Sequence, residues 1–369
     1  MPMATNGSSP EALARALLGS SLGVRRGENV IIETWTHTLP YATACVTEAR
    51  RRGAFPILLY EDEGAYWRSW EAVSKRDLGR VGSHEWSALA KAQAYVFFPG
   101  PADRARQRMD LRDFRQSVAY NQEWYRRAKA AHLRGVRSVL GYASDEMAAQ
   151  YHVDGPGWRE QLLRATIQAD LPAIKRDVSR LSTKLLKGKE LRVMASNGTD
   201  VTLQLRGRKP IGDDGVVDAK DVKAGNNVAV APPGYVAVAI DEKSAHGLVV
   251  ANRPSFYARG RVDGGQWEFE HGQMVSGSFT DGGDTFERMT EEATAGWNRG
   301  AFFSLGVNPA LDPGVPQVED QEAGAVAIGI GGNAGYGGSN SNPFLAWLIV
   351  GEATVALDGK PLVDRGKFL

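Results

Sequence analysis

The sequence predicts an α/β amino-terminal domain, with a parallel sheet and flanking helices, followed by a β-rich α+β carboxy-terminal domain. In the first half, short apolar runs typical of buried strands alternate with segments of helical periodicity. After about residue 188, short alternating segments are separated by glycine and aspartate turns. We therefore expect one domain at residues 1–187 and a second at residues 188–369, and we expect the second to carry a pocket.

The amino-terminal elements can be assigned in order. Ser9 before Pro10 predicts a helix start, because serine caps the free amide groups and proline suits the first helical position. A helical pattern at residues 158–187 is interrupted by Pro172. Between these segments the sequence predicts strands at 29–33, 56–60, 94–98 and 137–140, with a helix at 39–52. Strands separated by helices form right-handed crossovers, which predicts a parallel sheet.

The second half consists of short strands joined by tight turns. Asp358-Gly359, between TVAL and KPLV, is a strong hairpin signal because both residues tolerate a positive φ. One helix interrupts the strands. Asp284 and Glu287 form a plausible capping box, and the pattern extends to about Trp297.

Composition excludes several classes of function. The chain of 369 residues has 44 Lys and Arg against 43 Asp and Glu, which disfavours nucleic acid and anionic membranes as partners. No apolar run is long enough to span a bilayer or to serve as a signal sequence, so we expect a cytoplasmic protein. The single cysteine, Cys45, is expected in the core. The six histidines form no close pair in the sequence. Only His152 and His246 are considered as alternative catalytic residues, should either side chain reach the pocket.

A glycine-dense run near the carboxyl terminus is the most informative segment. Residues 329–347 read GIGGNAGYGGSNSNPFLAW, between two apolar runs. Gly329-x-Gly331-x-x-Ala334 imitates a dinucleotide fingerprint, but the glycines and proline that follow do not start a helix. We therefore expect no nucleotide cofactor, and a turn that gathers backbone and small polar side chains around a pocket.

Several blocks carry a family resemblance. In order, the chain contains ALARALLGSSLGVRRGENVIIE, RGAFPILLY, NNVAVAPPGYVAVAIDEKSAHGLV, LGVNPAL, EDQEAGAVAIGIGGN, GGSNSN and TVALDGKPLVDRGKF. Together these resemble the aminopeptidase T (thermophilic-type metallo-aminopeptidase) family, which is also similar to 2,5-dihydroxypyridine dioxygenases. The resemblance implies an aminopeptidase T-like fold, an active site in the β-rich domain and a homodimer.

The same resemblance implies metal ligands at positions that hold no ligand here. An acidic residue after the Pro-x-Gly turn corresponds to Tyr235, and a second acidic residue corresponds to Phe302. A histidine corresponds to Ala327, and a final His-x-Asp pair corresponds to Leu345 and Trp347. A divalent site needs several nitrogen or oxygen donors that are deprotonated at neutral pH, and these side chains do not supply them. We therefore expect neither a metal nor another cofactor.

The leading hypothesis is a metal-independent enzyme that acts by hydrolysis, elimination or rearrangement on a small, partly apolar or aromatic molecule. Tyr235 or Tyr336 would donate a proton and Glu322 would serve as the general base. The asparagines would stabilise developing negative charge. The residues expected to contact the substrate are Phe302, Asn308, Asn333, Asn340, Ser341, Asn342, Leu345 and Trp347.

Two alternatives remain open at this point. Bulky side chains at the former ligand positions would also fill the cavity and leave a non-catalytic pseudoenzyme, binding protein or scaffold. A metal-dependent aminopeptidase or ring-cleaving dioxygenase with unrecognised ligands is the third reading.

Overall fold

The computed structural model describes residues 8–74, 77, 80–107, 111–291 and 293–369, and the side chains of residues 111–118 lie outside this description. The chain folds into two compact units. Unit 1 contains the described residues up to Ala149, with Val153–Gln168 and Gly215–Pro232. Unit 2 contains Gln150–His152, Ala169–Asp214 and Pro233–Leu369. The sequence placed a single boundary between residues 187 and 188, whereas the chain passes between the two units several times.

Unit 1 is built on a parallel sheet with the spatial order β2-β1-β3-β4-β8. Its strands are β1 (Asn29–Trp35), β2 (Phe55–Glu61), β3 (Ala94–Phe97), β4 (Arg134–Ser138) and β8 (Val228–Ala231). Every neighbouring pair is parallel. The first four strands confirm the expected α/β pattern, and β8 adds a fifth strand from a segment that the sequence had assigned to the second domain.

The described α-helices connect and flank the sheets. They are α1 (Pro10–Arg15), α2 (Leu39–Arg51), α3 (Glu63–Ala72), α4 (Ser83–Lys91), α5 (Leu111–Ala130), α6 (Asp145–Tyr151), α7 (Gly155–Ile167), α8 (Leu171–Lys187), α9 (Ala219–Ala224) and α10 (Gly283–Thr290). Ser9 caps α1 as expected, since its Oγ accepts a hydrogen bond from the Ala12 amide at 3.2 Å. None of the described helices is both long enough and apolar enough to cross a membrane.

Unit 2 contains two antiparallel sheets and a small hairpin. The larger sheet has the order β14-β13-β10-β6-β5-β18-β19-β20, and the smaller has the order β17-β16-β15-β9-β7. The remaining strands, β11 and β12, pair with each other. The bounds are β5 (Glu190–Met194), β6 (Asp200–Gln204), β7 (Ile211–Asp213), β9 (Tyr235–Ala239), β10 (His246–Val250), β11 (Ser255–Tyr257), β12 (Gly260–Val262), β13 (Gln266–Glu270), β14 (Gln273–Ser278), β15 (Gly300–Gly306), β16 (Val326–Gly331), β17 (Leu345–Val350), β18 (Thr354–Leu357), β19 (Lys360–Asp364) and β20 (Lys367–Phe368).

The core of unit 2 lies against one face of the smaller sheet. Strand residues at alternate positions, among them Val236, Phe303 and Ile328, are fully buried in it. Helix α8 packs on the same core through Ile174 and Leu181, which recur at helical spacing. This packing explains why α8 belongs to unit 2. The opposite face of the smaller sheet therefore carries the other alternate residues, and the candidate site is there.

One local expectation was wrong. The helix predicted from Asp284 to Trp297 ends at Thr290, and its N-cap is Gly282 in the left-handed region, with no side-chain cap. Trp297 is instead packed from beyond the helix against Phe344, with ring centroids 5.3 Å apart. The helical pattern at 158–187 is interrupted as expected: it forms two helices, α7 and α8, and Pro172 lies in the first turn of the second.

Candidate functional site

The candidate site is the face of the β17-β16-β15-β9-β7 sheet that points away from the main core of unit 2, here called the site face. Ser304 lies near its centre, opposite Ala237 on β9 and Ala327 on β16. Because strand side chains alternate, Phe302 and Ser304 share this face of β15. The neighbouring positions hold glycine or alanine, so no bulky side chain rises from the sheet beside Ser304.

Four positions that the resemblance assigns to metal ligands lie together on the site face. Phe302, Ala327, Leu345 and Trp347 belong to one small apolar cluster, and Tyr336 packs against it. The Phe302 ring is 2 % exposed and is stacked on the Tyr336 ring, with centroids 4.3 Å apart and planes 13° from parallel. The structure thus joins these residues in an apolar contact.

Glycine at position 329 makes this stack fit. A Cβ atom built there would lie 2.2 Å from Cε1 of Phe302, so the phenyl ring rests directly on the strand backbone. Trp347 stands opposite Gly329 on β17. The Phe302 ring therefore lies between the backbone of the strand at Gly329 and the Tyr336 ring.

The residues at these positions do not fit the divalent metal that the resemblance implies. Phe302, Ala327 and Leu345 have no donor atoms, and the indole of Trp347 is only a hydrogen-bond donor. Tyr235, the fifth of these positions, lies on β9 and belongs to the site face, as Ala237 does. Among the residues that the structure describes, no group of three or more His, Cys, Asp or Glu side chains is arranged to hold a metal ion.

An acidic segment, residues 319–322, lies over the site face. It approaches β15 at Gly306, where a Cβ atom would lie 2.1 Å from the carbonyl oxygen of Glu322 and 2.7 Å from that of Asp320. Only glycine allows this contact. Tyr235 stands opposite Gly306 in the sheet and is half-buried. The backbone of the segment therefore lies beside Tyr235, and its Asp320 carboxyl group reaches Ser304.

Glu319 is the most perturbed carboxyl group of this segment. It is 2 % exposed, and its Oε1 accepts hydrogen bonds from the Phe256 amide at 3.2 Å and from Trp347 Nε1 at 3.1 Å. Burial, and then the adjacent Asp320, raise the pKa of Glu319 to about 8. The group is therefore mostly protonated at neutral pH.

Asp320 contacts the centre of the site face. The Ser304 hydroxyl donates a hydrogen bond to its Oδ2 at 3.2 Å, and Ser304 itself is fully buried. Burial raises the pKa of Asp320, although the hydrogen bond from Ser304 opposes the rise. Two adjacent carboxyl groups with raised pKa values are thus aimed at one patch of the sheet.

Glu322 is placed differently from its neighbours. Burial raises its pKa, but the Arg253 guanidinium lies 3.7 Å from its Oε2 and opposes that rise. Its backbone forms an isolated bridge with Asn308. The structure therefore pairs Glu322 with a cation.

The asparagines of the glycine-rich run are bonded to their own loop and to residues that lie against it. Asn333 is fully buried; its Nδ2 donates to Glu242 Oε1 at 2.8 Å, and its Oδ1 accepts from the Asn340 amide at 2.8 Å. Asn340 Nδ2 donates to the Gly331 carbonyl at 2.8 Å. Asn342 Nδ2 donates to the Thr294 carbonyl at 2.9 Å. These amides brace the loop.

The other polar positions of the prediction are either bonded in the interior or on the surface. Asn308 is fully buried, and its Nδ2 donates to the Pro233 carbonyl at 2.8 Å. Ser341 is exposed. His152 and His246, considered as additions to the site, are also exposed.

Sequence reasoning missed Glu242, which holds the loop in place. Its Oε1 accepts from Asn333 and from the amide and hydroxyl of Ser339, both at 3.1 Å, and its Oε2 pairs with Arg208 at 2.6 Å. Burial alone would raise the pKa of Glu242, but these hydrogen bonds outweigh it and lower the pKa well below its ordinary value. The reasoning also missed Ser304, since a lone serine inside an apolar strand carries no motif.

Comparisons with known proteins agree on the fold. AmpT from Thermus thermophilus superposes with a TM-score of 0.70 at 19% identity, covering 98% of both chains. A 2,5-dihydroxypyridine dioxygenase from Pseudomonas putida KT2440 superposes with a TM-score of 0.65 at 15% identity, covering 99% of this chain and 98% of the other. No curated protein matches the sequence.

The family assignment rests on a model match. The model of the thermophilic metalloprotease (M29) family matches residues 8–296, which is most of the chain. The aminopeptidase T-like fold expected from the sequence is confirmed, with its parallel sheet and its β-rich antiparallel region. The chain therefore belongs to the thermophilic metalloprotease (M29) family.

Proposed function

We propose that this family member is a metal-independent enzyme that acts on a small, partly apolar or aromatic molecule by acid–base chemistry at the site face. The reaction is a hydrolysis, elimination or rearrangement. A homodimer and a cytoplasmic location belong to the same proposal. The single observation that supports it most is the hydrogen bond between Asp320 and Ser304 beside the buried carboxyl group of Glu319.

Asp320 is the best general base in this arrangement. A raised pKa makes a carboxylate a stronger base at neutral pH, and perturbed carboxyl pairs are frequent at functional sites. Glu319, protonated at neutral pH, places no second negative charge beside it. Ser304 orients the Asp320 carboxylate through its hydroxyl hydrogen bond. We therefore assign the role of base to Asp320 rather than to Glu322, which is paired with Arg253.

Tyr235 is the proposed proton donor. It lies on the same face as Ser304, and both face the acidic segment near Gly306. Leu345 and Trp347, which are partly exposed, supply the apolar wall that would bind an aromatic substrate, and the buried Phe302 lies behind it. In this proposal Tyr336 supports the wall through its stack on Phe302, and the asparagines hold the loop.

A non-catalytic binding protein is the second candidate, and one observation favours it. The Phe302–Tyr336 stack covers Gly329 and occupies the region where the resemblance places the metal. Apolar filling is the least costly replacement for a lost ionic site, because unpaired buried charges are strongly unfavourable.

The test combines metal analysis with turnover. Protein expressed with zinc, iron and manganese, and purified without chelator, is analysed by plasma mass spectrometry. The same sample is screened against nitrophenyl esters, aryl amides, leucine p-nitroanilide and small aromatic acids, with and without EDTA. Asp320→Asn is the test variant, and the exposed Glu268→Gln is its matched control.

We expect less than about 0.1 metal per chain, EDTA-insensitive turnover, and a loss of about 100-fold in Asp320→Asn, the scale of one general base. Glu268→Gln should retain full activity and melt at the same temperature. Stoichiometric metal with EDTA-sensitive hydrolysis of leucine p-nitroanilide would refute the proposal in favour of metallopeptidase chemistry. Metal-free protein with no turnover in the whole panel would favour the binding protein.

A further inference from the structure

Trp347 is held on its backbone and on its side chain by groups that lie outside its own sheet. β17, which carries it, is the outermost strand of the smaller sheet. The Tyr257 hydroxyl bonds to both backbone groups of Trp347: it donates to the carbonyl and accepts from the amide at 3.2 Å. The indole Nε1 of Trp347 donates to Glu319 Oε1 at 3.1 Å. Two separate side chains therefore fix one half-buried indole.

Both of these supporting side chains are themselves held in place. Tyr257 is 3 % exposed, and its ring meets the indole edge to face, with centroids 5.0 Å apart and planes at 64°. Its carbonyl oxygen accepts a hydrogen bond from the Tyr151 hydroxyl at 3.0 Å. Glu319 also accepts from the amide of Phe256, the residue before Tyr257. Glu319 and Tyr257, here called the indole clamp, thus belong to one connected network.

The indole clamp orders a side chain that is not enclosed by the core. Trp347 and Leu345 are only half-buried, so the indole forms part of a surface. A half-buried side chain can adopt several rotamers unless contacts restrict it. Once its orientation is fixed, a flat ring binds another flat ring with less loss of conformational entropy. The exposed part of the indole is therefore prepared for a planar partner.

The acidic segment connects the indole clamp to the proposed base. Glu319 bonds the indole, and the next residue, Asp320, accepts a hydrogen bond from Ser304. β17 and β15 are two strand spacings apart, about 10 Å, and the strand between them carries only alanine opposite Ser304. A one-ring molecule on the indole would extend its substituent toward Asp320. The carboxylate of Asp320 disfavours a negatively charged ring.

We propose that Trp347 is the specificity-determining residue of the site face, that it selects a flat aromatic ring without negative charge over a saturated ring of the same size, and that Glu319 and Tyr257 are its positioning residues. The inference rests on the proposed function, because it narrows that function's substrate to an aromatic one, but its test measures binding alone. Contact with an ordered indole favours an aromatic ring by up to about tenfold in affinity.

The first experiment compares benzamide with cyclohexanecarboxamide. Both are neutral amides of similar size, and only benzamide is flat and aromatic. Affinities are measured by calorimetry, and the indole N–H signals of ¹⁵N-labelled protein are followed by NMR, with the Trp347 signal identified by its absence from Trp347→Phe. We expect benzamide to shift this signal and to bind about tenfold more tightly. Trp347→Leu should remove the difference, whereas Trp297→Leu, at another half-buried tryptophan of unit 2, should retain it.

The second experiment tests the indole clamp. Glu319→Leu removes the acceptor of the indole N–H, whereas Glu319→Gln keeps it. Tyr257→Phe removes the hydroxyl and keeps the ring. We expect Glu319→Leu and Tyr257→Phe to shift the free Trp347 signal and to weaken benzamide binding by about fivefold, and Glu319→Gln to bind benzamide as wild type does. Tyr95→Phe removes another buried tyrosine hydroxyl, in unit 1, and should bind benzamide normally even where it lowers stability.

The outcomes separate this inference from the proposed function. Equal affinities for the two amides, no binding of either, or benzamide binding that leaves the Trp347 signal in place each overturn Trp347 as the specificity-determining residue. Wild-type affinity and an unshifted indole signal in Tyr257→Phe and Glu319→Leu overturn the indole clamp, and Tyr257→Phe decides alone if Glu319→Leu does not fold. Benzamide binding without turnover in the wider screen overturns the proposed chemistry and keeps this inference. Turnover without preference for aromatic substrates does the reverse.

Discussion

Replacing Glu319 by glutamine should remove a fall in stability with rising pH. In the unfolded chain a glutamate ionises near its ordinary pKa of 4.5, whereas in the folded chain burial raises the pKa of Glu319 to about 8. Between these values the folded state binds the proton more tightly than the unfolded state. The free energy of unfolding therefore decreases as the pH rises through this window, and the decrease levels off above pH 8.

The size of the effect follows from the width of the window. The difference of about 3.5 pH units corresponds to at most about 5 kcal/mol at about 1.36 kcal/mol per unit. Glutamine is neutral throughout and keeps a carbonyl oxygen for the Phe256 amide and the Trp347 indole. Relative to wild type, Glu319→Gln should therefore gain a few kcal/mol between pH 4.5 and pH 8.

Urea unfolding, followed by tryptophan fluorescence at four pH values from 5 to 8, measures this difference. Glu268→Gln, an exposed change on β13, is the control and should follow wild type at every pH. If the stability of Glu319→Gln runs parallel to that of wild type across the range, Glu319 is not held protonated. The argument for Asp320 as the neighbouring base would then fail with it.

Three further predictions concern the stack and its loop. Gly329→Ala should lose about 1–3 kcal/mol in urea unfolding, because the new methyl group would displace the Phe302 ring, whereas Gly335→Ala, which has open space around it, should change little. Tyr336→Ala should lose about 2 kcal/mol of stability by thermal unfolding with the loss of its ring contact, and Tyr336→Phe should retain it. Glu242→Gln should lose about 2–4 kcal/mol of stability at pH 7 and less near pH 3. The lowered pKa of Glu242 stabilises the fold in full above about pH 4.5, and this contribution is lost as the pH falls below that value. An equal loss of stability at both pH values would contradict this reasoning.

The elements that sequence predicted well are those fixed by local pattern. β1 and β3 are continuous apolar runs, Ser9 caps its helix, and the hairpin at Asp358-Gly359 joins β18 to β19. Each of these depends on residues close together in sequence. The helix expected as far as Trp297 was wrong because apolar periodicity reports burial as well as helix: Trp297 is half-buried against the core from a turn.

The candidate site could be predicted only in part. Phe302, Leu345 and Trp347 were grouped because the resemblance aligned them, and the structure places them in one cluster. The hydrogen bond between Asp320 and Ser304 joins residues 16 positions apart, and the bond between Asn333 and Glu242 spans 91 positions. Neither pairing is encoded in a spacing, because each depends on where a loop is placed against a distant part of the chain.

The glycine-rich and asparagine-rich run is better explained by a filled site than by an open one. The expectation was that such a run has no purpose unless it surrounds a pocket. Gly329 is instead required because the Phe302 ring lies on its backbone, and Gly338 is required because a Cβ atom there would lie 2.1 Å from Asn333 Oδ1. Glu242 and the loop amides then hold Tyr336 over the ring. The run at which the resemblance places metal ligands is here the scaffold of an aromatic stack, so the polar chemistry that we propose belongs to the acidic segment beside Ser304.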